Sequence, residues 1–313
     1  MTLPFTLQQL RIIKALASEN SFTRAAEILF ISQPSLSKQL KTLENRLGIL
    51  LINRNNNTVS LTDAGKLFLQ YAERILALCE ESCRALNDLQ QGDRGNLTVG
   101  ASQTIGTYLM PRVLALFAQN YPQISLKVQV DTTRVIAKNV ADRNIDIAVV
   151  GGDVPENLKK NLEIESFVED ELSLIIPKSH PFSRKSEKII NKNDLYHLNF
   201  ITLNPNSNIR KFIDNILIQN QIETKQFNII MQLNSIEAIK TAVSLGLGVA
   251  FVSSSAIEKE VELKTIEIIQ IENIKITRTL SIITNTNCYK SKALQFFYNE
   301  LWSLKNTTKK LKV

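Results

Sequence analysis

The sequence predicts an α/β protein with an all-α N-terminal part, and three observations lead there. Residues 1–50 carry apolar side chains at helical spacing in three short runs. Residues 63–91 form a single long helical pattern with a seven-residue apolar repeat. Beyond Gly95 the texture changes to short β-branched runs alternating with helical stretches, the mark of an α/β sheet that is mainly parallel. With 313 residues, 44% of them apolar and 21% charged, the chain has material for about two packed domains.

Charge narrows the partners. There are 37 Lys and Arg against 30 Asp and Glu, a net +7. Residues 1–66 hold Arg11, Lys14, Arg24, Lys38, Lys41, Arg46, Arg54 and Lys66 against only Glu19, Glu27, Glu44 and Asp63. A basic N-terminal part suits a polyanion. The end of the chain, 305–313, carries Lys305, Lys309, Lys310 and Lys312 without an acid and reads as a solvated basic tail. No run approaches the roughly 18–20 apolar residues of a membrane span, so no membrane role is expected. The opening MTLPFTLQQL has neither a secretory nor a transit build, and the chain is expected to stay in the compartment where it is made. Three cysteines, Cys79, Cys83 and Cys288, are too few for a disulfide framework.

The elements follow in order. Thr6 with Gln9 is a capping-box pattern that opens a helix over 6–18. Asn20 and Ser21 break it, and Ser21 caps a second helix through Leu29 with Ala25 and Ala26 for close packing. After a turn at Phe30-Ile31, Ser32 caps a third helix that tolerates Pro34 in its first turn. Leu36, Leu40, Leu43 and Leu47 line one side of it, while Gln33, Ser35, Ser37, Lys38 and Lys41 point elsewhere. Gln pairs bidentately with adenine, Lys with guanine or phosphate, and Ser with either, so this face suits a helix in a DNA major groove. An ordinary three-helix bundle with a solvated polar face is the other reading.

Two short apolar runs around Asn55-Asn56-Asn57 read as a hairpin, the wing of a winged helix, with Arg54 at its base placed for phosphate or the minor groove. Thr62 caps the long helix. Its seam of Phe68, Ile75, Ser82 and Leu89 with Tyr71, Leu78 and Ala85, widened by Ala72, Cys79 and Leu86, points to a dimerising coiled coil or to packing on its own domain. Cys79 and Cys83 lie one turn apart there, which suits buried packing better than a redox or metal pair without partners. Strands are expected at 97–101, 124–130, 145–150, 172–177, 200–203, 229–233, 249–252 and 280–284, in two linked subdomains. Ligands of α/β sheets sit beyond strand carboxyl ends, where helix N-termini offer N–H donors.

Several motifs resemble one family. The segments Ser21-Phe22-Thr23-Arg24-Ala25-Ala26-Glu27 and Ile31-Ser32-Gln33-Pro34-Ser35-Leu36-Ser37-Lys38-Gln39-Leu40 are similar to the signature of LysR-type transcriptional regulators. So are Leu47-Gly48, Leu61-Thr62-Asp63-Ala64-Gly65, Asp146-Ile147-Ala148-Val149, Ser179-His180-Pro181 and Gly246-Leu247-Gly248-Val249-Ala250. The resemblance implies a winged helix-turn-helix over 1–62, a dimerising linker helix over 63–92 and an effector-binding domain over 93–304. That domain would resemble a periplasmic binding protein, with subdomain I at about 93–167 and 270–304, subdomain II at about 168–269, and crossovers near 167–169 and 266–276.

The same resemblance implies DNA contacts from Thr23, Arg24, Ser32, Gln33, Pro34, Ser35, Ser37, Lys38, Lys41 and Arg54. Family wings often carry a second basic residue where this chain has asparagines, which implies weaker phosphate contact and a shallower salt dependence. Ser102, Gln103, Thr104, Thr132, Thr133, Asn204 and Ser207 would face the effector cleft, with helix capping the plain structural alternative for each.

The stretch Gly100-Ala101-Ser102-Gln103-Thr104-Ile105-Gly106-Thr107-Tyr108-Leu109-Met110-Pro111 further resembles the regulators of Rubisco and carbon-fixation genes of cyanobacteria and algal plastids. This implies double-stranded DNA with a partial inverted repeat as partner, a homodimer or homotetramer, RNA polymerase as a further partner, and NADPH or a phosphorylated sugar such as ribulose bisphosphate as effector. The richness in Ile, Asn and Lys fits an AT-rich genome, hence a plastid stroma, with a bacterial cytoplasm as the other location. No resident cofactor is expected, and Gly246-Leu247-Gly248 lacks the rest of a dinucleotide fingerprint.

Two other classes compete for the same residues. Only His180 and His197 are available for acid–base work, neither beside a nucleophile motif, so an enzyme is not expected. A solute-binding protein would account for the α/β part alone but not for the basic helical N-terminus. Regulation of a different metabolic operon is the alternative within the family.

Overall fold

The computed structural model describes residues 3–55, 58–91, 94–184 and 188–308. By packing, the chain divides into two compact units, one up to Gly95 with 142–144 and 287–291, the other made of the remaining residues.

In the first unit the local signals act as expected. Helix α1 (Leu7–Glu19) opens on a complete Thr6–Gln9 capping box and ends at Asn20 in the left-handed conformation. Helix α2 (Phe22–Ile28) is capped by Ser21, and α3 (Gln33–Leu47) by Ser32 with Pro34 in its first turn. Between them Phe30 takes a positive φ of 54° and lies exposed. Leu36, Leu40 and Leu43 are fully buried with Ile12, Ile13, Leu16 and Ala25. Burying each such side chain is worth about 1.5–3 kcal/mol and sets which face of α3 remains outside. Strands β1 (Ile52–Asn55) and β2 (Thr58–Leu61) form the antiparallel hairpin, and α4 (Asp63–Gln91) follows, with the Thr62 hydroxyl accepting the Gly65 N–H at 2.9 Å.

Part of the α4 seam is used within the unit. Ala72 and Leu76 are buried on Leu10, and Phe68 meets Phe5 edge-on at 5.7 Å between ring centroids. Tyr71, Leu78 and Leu86 remain exposed. Packing on its own domain is therefore realised on one strip of the helix, while an adjacent apolar strip stays exposed; the side chain of Leu89 lies outside the described residues.

The second unit holds β3 (Gly95–Ser102), α5 (Met110–Asn120), β4 (Ile124–Asp131), α6 (Thr133–Ala141), β5 (Ile147–Gly151), α7 (Glu156–Lys159) and β6 (Leu162–Pro177). There follow β7 (Ile189–Ile190), β8 (Asn199–Leu203), α8 (Asn208–Gln219), β9 (Asn228–Leu233), α9 (Ile236–Ser244), β10 (Ala250–Ser253), α10 (Glu258–Glu262), β11 (Ile266–Ile271), β12 (Thr277–Asn285) and α11 (Lys292–Thr308). A main sheet runs β4-β3-β5-β12-β6-β11-β7, with β10 also on β6, and β8-β9 form a separate parallel pair.

Three expectations need correction. The sheet is mixed: β3 and β5 are parallel, but β12 is antiparallel to both β5 and β6, and β10 and β11 are antiparallel to β6. A parallel neighbour needs a crossover helix. β12 follows β11 across a short turn and enters between β5 and β6 without one. The second crossover also moves. Residues 266–271 are strand β11, packed in the second subdomain's cores through Ile266, Ile269 and Ile271 together with Ile276, and the chain rejoins the first core at Leu280. The first crossing holds, since Phe167 lies in one core and Leu172 in the other. The expected tail begins late as well: Lys305 is helical, its amino group 4.1 Å from the Trp302 ring centroid, and 309–313 lie outside the described residues.

Glu267 on β11 is enclosed between Lys178 and Lys188, the latter 3.1 Å from Oε2 but off hydrogen-bond alignment. The hydrogen bond from Lys178, opposed in part by burial and helped by Lys188, brings its carboxyl down to about 2. A carboxyl lowered in the fold stabilises above its unfolded value of about 4.3 and loses that contribution as pH falls towards 2. Both lysines are half exposed and screened, so Glu267→Gln is expected to cost about 1–3 kcal/mol at pH 7. Urea unfolding should show this deficit shrinking to nothing between about pH 4 and pH 2; a deficit constant with pH would contradict the ion-pair origin.

Candidate functional site: a polar helix face and a cleft

On α3 the buried leucines leave a polar strip outside. The Ser32 hydroxyl accepts the Ser35 N–H at 3.3 Å, and the Gln33 amide donates to the Ser37 hydroxyl at 3.2 Å. Ser32, Gln33, Pro34, Lys38 and Lys41 are exposed, Ser35 and Ser37 half-buried. Thr23 and Arg24 are exposed at the start of α2, where the Ser21 hydroxyl accepts the Arg24 N–H. Arg54 lies in β1 opposite Val59, and its side chain lies outside the described residues, as do Asn56 and Asn57 of the wing.

One supporting residue was not anticipated. Glu44 is 5% exposed and accepts the N–H groups of Leu51 at 2.9 Å and Ile52 at 3.2 Å, tying α3 to the base of the hairpin. Its signal in the sequence was a carboxylate set beside Leu40, Leu43 and Leu47, since a charge on a buried face requires partners.

The second site is a cleft of about 540 Å³ at the carboxyl ends of strands. All seven cleft residues expected from the sequence line it. Ser102, Gln103 and Thr104 follow β3; Thr132 and Thr133 follow β4; Asn204 and Ser207 follow β8. The N-termini of α6, α8 and α9 open onto it, an arrangement that favours an anion. Capping occupies some of these groups: the Thr132 hydroxyl accepts the Val135 N–H, whereas Thr104 and Ser207 make no side-chain cap.

Among the liners that the sequence reading missed, Tyr108, Glu237 and Arg278 carry ionisable groups. Tyr108 sits in a π-turn (Ile105–Leu109), a distortion frequent at functional sites. Its hydroxyl donates to Glu237 at 2.7 Å across the cleft, and the buried Lys240 amino group lies 5.0 Å from the Tyr108 ring centroid. Lys240 also binds Glu237 at 2.9 Å, Glu260 at 3.0 Å and the Ala256 carbonyl at 2.7 Å. Burial and the Glu237 carboxylate push the Tyr108 phenol up. Burial pushes Glu237 up too, but hydrogen bonds from Tyr108 and Lys240 outweigh it and hold its carboxyl below the usual range. Arg278 and Asp170 form a buried ion pair at the floor. His180 is a turn residue: its Nδ1 accepts the Phe182 N–H, and burial lowers its pKa.

Comparison with known proteins gives a consistent result. Residues 7–66 match the model of the bacterial regulatory helix-turn-helix protein, lysR family, and residues 90–304 match that of the LysR substrate binding domain. A protein of Thalassiosira pseudonana named "Probable RuBisCO transcriptional regulator" is 78% identical over 306 residues, covering 98% of this chain and all of the relative. One of the same name from Gracilaria tenuistipitata var. liui is 55% identical, covering 96% of this chain and 97% of the relative. In fold, a full-length single-substitution variant of OxyR from Pseudomonas aeruginosa matches with a TM-score of 0.74 at 24% identity, covering 96% of this chain and 95% of that one. Full-length CbnR, in a complex with its target DNA, matches at 0.68 and 21% identity, covering 95% and 99%.

Proposed function

The chain belongs to the LysR family of transcriptional regulators, and from that premise we propose that it controls Rubisco and carbon-fixation genes in the plastid stroma. The observation that carries this reading is the exposed polar strip of α3, fixed by its buried leucines, in a chain whose relatives bear the Rubisco regulator name. Residues 1–62 act as the DNA-binding domain, 63–92 as the dimerising helix and 93–304 as the effector domain. A homodimer, or a tetramer made of two, places its recognition helices in successive major grooves about 34 Å apart, so the site is a partial inverted repeat. Gln33, Ser35, Ser37 and Lys38 approach bases, and Thr23, Arg24, Ser32, Pro34, Lys41 and Arg54 position the duplex. The cleft answers to a small anion, NADPH or a phosphorylated sugar such as ribulose bisphosphate, and the bound complex engages RNA polymerase.

Footprinting on DNA upstream of the source's Rubisco large-subunit gene, with and without NADPH or ribulose bisphosphate, tests this. A protected inverted repeat whose footprint shifts with effector is the expected result; protection upstream of a different gene only, or none, would overturn the assignment. Lys38→Ala is expected to weaken specific binding by about 1–3 kcal/mol if the ammonium reads a base. Fluorescence anisotropy on the site and on a scrambled duplex checks it. Unchanged affinity and preference would remove Lys38 from readout.

A further inference from the structure

Arg278 is a guanidinium on the floor of the cleft, 5% exposed, whose donors are not all used. Nε donates to Asp170 Oδ2 at 2.8 Å, and Nη1 to the Gly151 carbonyl at 3.2 Å. Nη2 lies 2.7 Å from the same Oδ2 yet off alignment, and so is buried with no hydrogen-bond partner. The guanidinium thus has more donors than the aligned acceptors around it, and among the described residues its charge is balanced by Asp170 alone.

Its surroundings are built to bring it there. A Cβ on Gly151 would lie 3.1 Å from Arg278 Cζ and 2.8 Å from Leu280 Cδ2, so the missing side chain is what admits the guanidinium. The Gly151 N–H donates to the Ser102 hydroxyl at 3.2 Å, which leaves the Ser102 proton free to donate beside Arg278. Asp170, itself 7% exposed and accepting from Ser253, supplies the counter-charge from behind.

We infer that Arg278 is the specificity-determining residue of the cleft, drawing an anionic group of the ligand, carboxylate or phosphate, to the edge of its guanidinium that lines the cavity, with the Ser102 hydroxyl donating alongside. This rests on the reading of the cleft as the effector site and adds to it the side chain that reads charge. A neutral analogue of the effector, however well it fills the cavity, fails to bind.

The test is calorimetric titration of the full-length protein with inorganic phosphate and, separately, with acetate. The preferred anion of the two identifies the ligand's charged group. Arg278→Lys keeps the charge but loses the planar fork and should bind about tenfold more weakly. The double variant Asp170→Asn with Arg278→Gln leaves no charge buried alone, should fold, and should lose about a hundredfold in affinity. Wild-type affinity in the folded double variant, or no saturable binding of either anion by the wild type, overturns the inference. Promoter affinity measured without added anion separates the two readings. Its absence in the wild-type protein strikes the regulator assignment, whereas retained anion binding in the variant strikes only Arg278.

Discussion

Replacing Asp170 by alanine is expected to cost the second unit about 3–5 kcal/mol of stability, more than the loss expected at Glu267. Asp170 and Arg278 are both buried, and each lies where its strand passes from one core to the other, between Phe167 and Leu172 and between Ile276 and Leu280. Removing the carboxylate leaves a guanidinium enclosed with only the Gly151 carbonyl as a partner. It also strands the Ser253 hydroxyl, which would keep only its contact with Ser255. Exposed ion pairs give about 1 kcal/mol or less, so magnitude distinguishes the two cases. Trp302, the only tryptophan, stacks edge-on to Phe167 in this unit, and its fluorescence during urea unfolding reports the change. A loss below about 1 kcal/mol would mean that water reaches the pair. The double variant lacking both charges should recover most of the loss, since replacing a buried pair together is often neutral.

Charge burial of this kind is also where sequence reasoning stopped. Signals confined to a few neighbouring residues were fully legible: the Thr6–Gln9 box, the caps at Ser21 and Ser32, and the turn at Asn20 depend on contacts three or four positions apart. The cleft residues were legible through the family resemblance, which sets them beyond strand carboxyl ends whatever the rest of the sheet does. Strand direction was not legible, because an alternation of strands and helices does not say which strand lacks a crossover. Arg278 gave no local sign. Its meaning comes from Asp170, 108 positions earlier, and from the absent side chain at Gly151, 127 positions earlier. Glu44 stood between, visible as a misplaced charge but with partners found only once the hairpin folds back.

The second large effect is expected at Gly65, where two principles predict opposite signs. Gly65 lies in the first turn of α4, and alanine is a better helix former than glycine by about 1 kcal/mol, so propensity alone predicts that Gly65→Ala stabilises. Packing predicts the reverse. A Cβ there would sit 2.0 Å from the Leu51 carbonyl oxygen and 3.2 Å from Leu61 Cδ2. That carbonyl cannot retreat cheaply: it accepts the Thr62 N–H at 2.9 Å, the Thr62 hydroxyl donates to the Leu50 carbonyl at 2.8 Å, and the Leu51 N–H is held by Glu44. Relieving the overlap must move α4 or break these bonds, which costs about 3 kcal/mol or more and exceeds the propensity gain. The N-terminal unit of Gly65→Ala should therefore unfold at a lower temperature by circular dichroism and lose promoter binding, while the Trp302 fluorescence transition of the second unit stays in place. Wild-type stability and binding would show that the α4–hairpin junction yields, and with it would go the argument that Thr62, Glu44 and the Leu51 carbonyl hold the wing rigidly against the recognition helix.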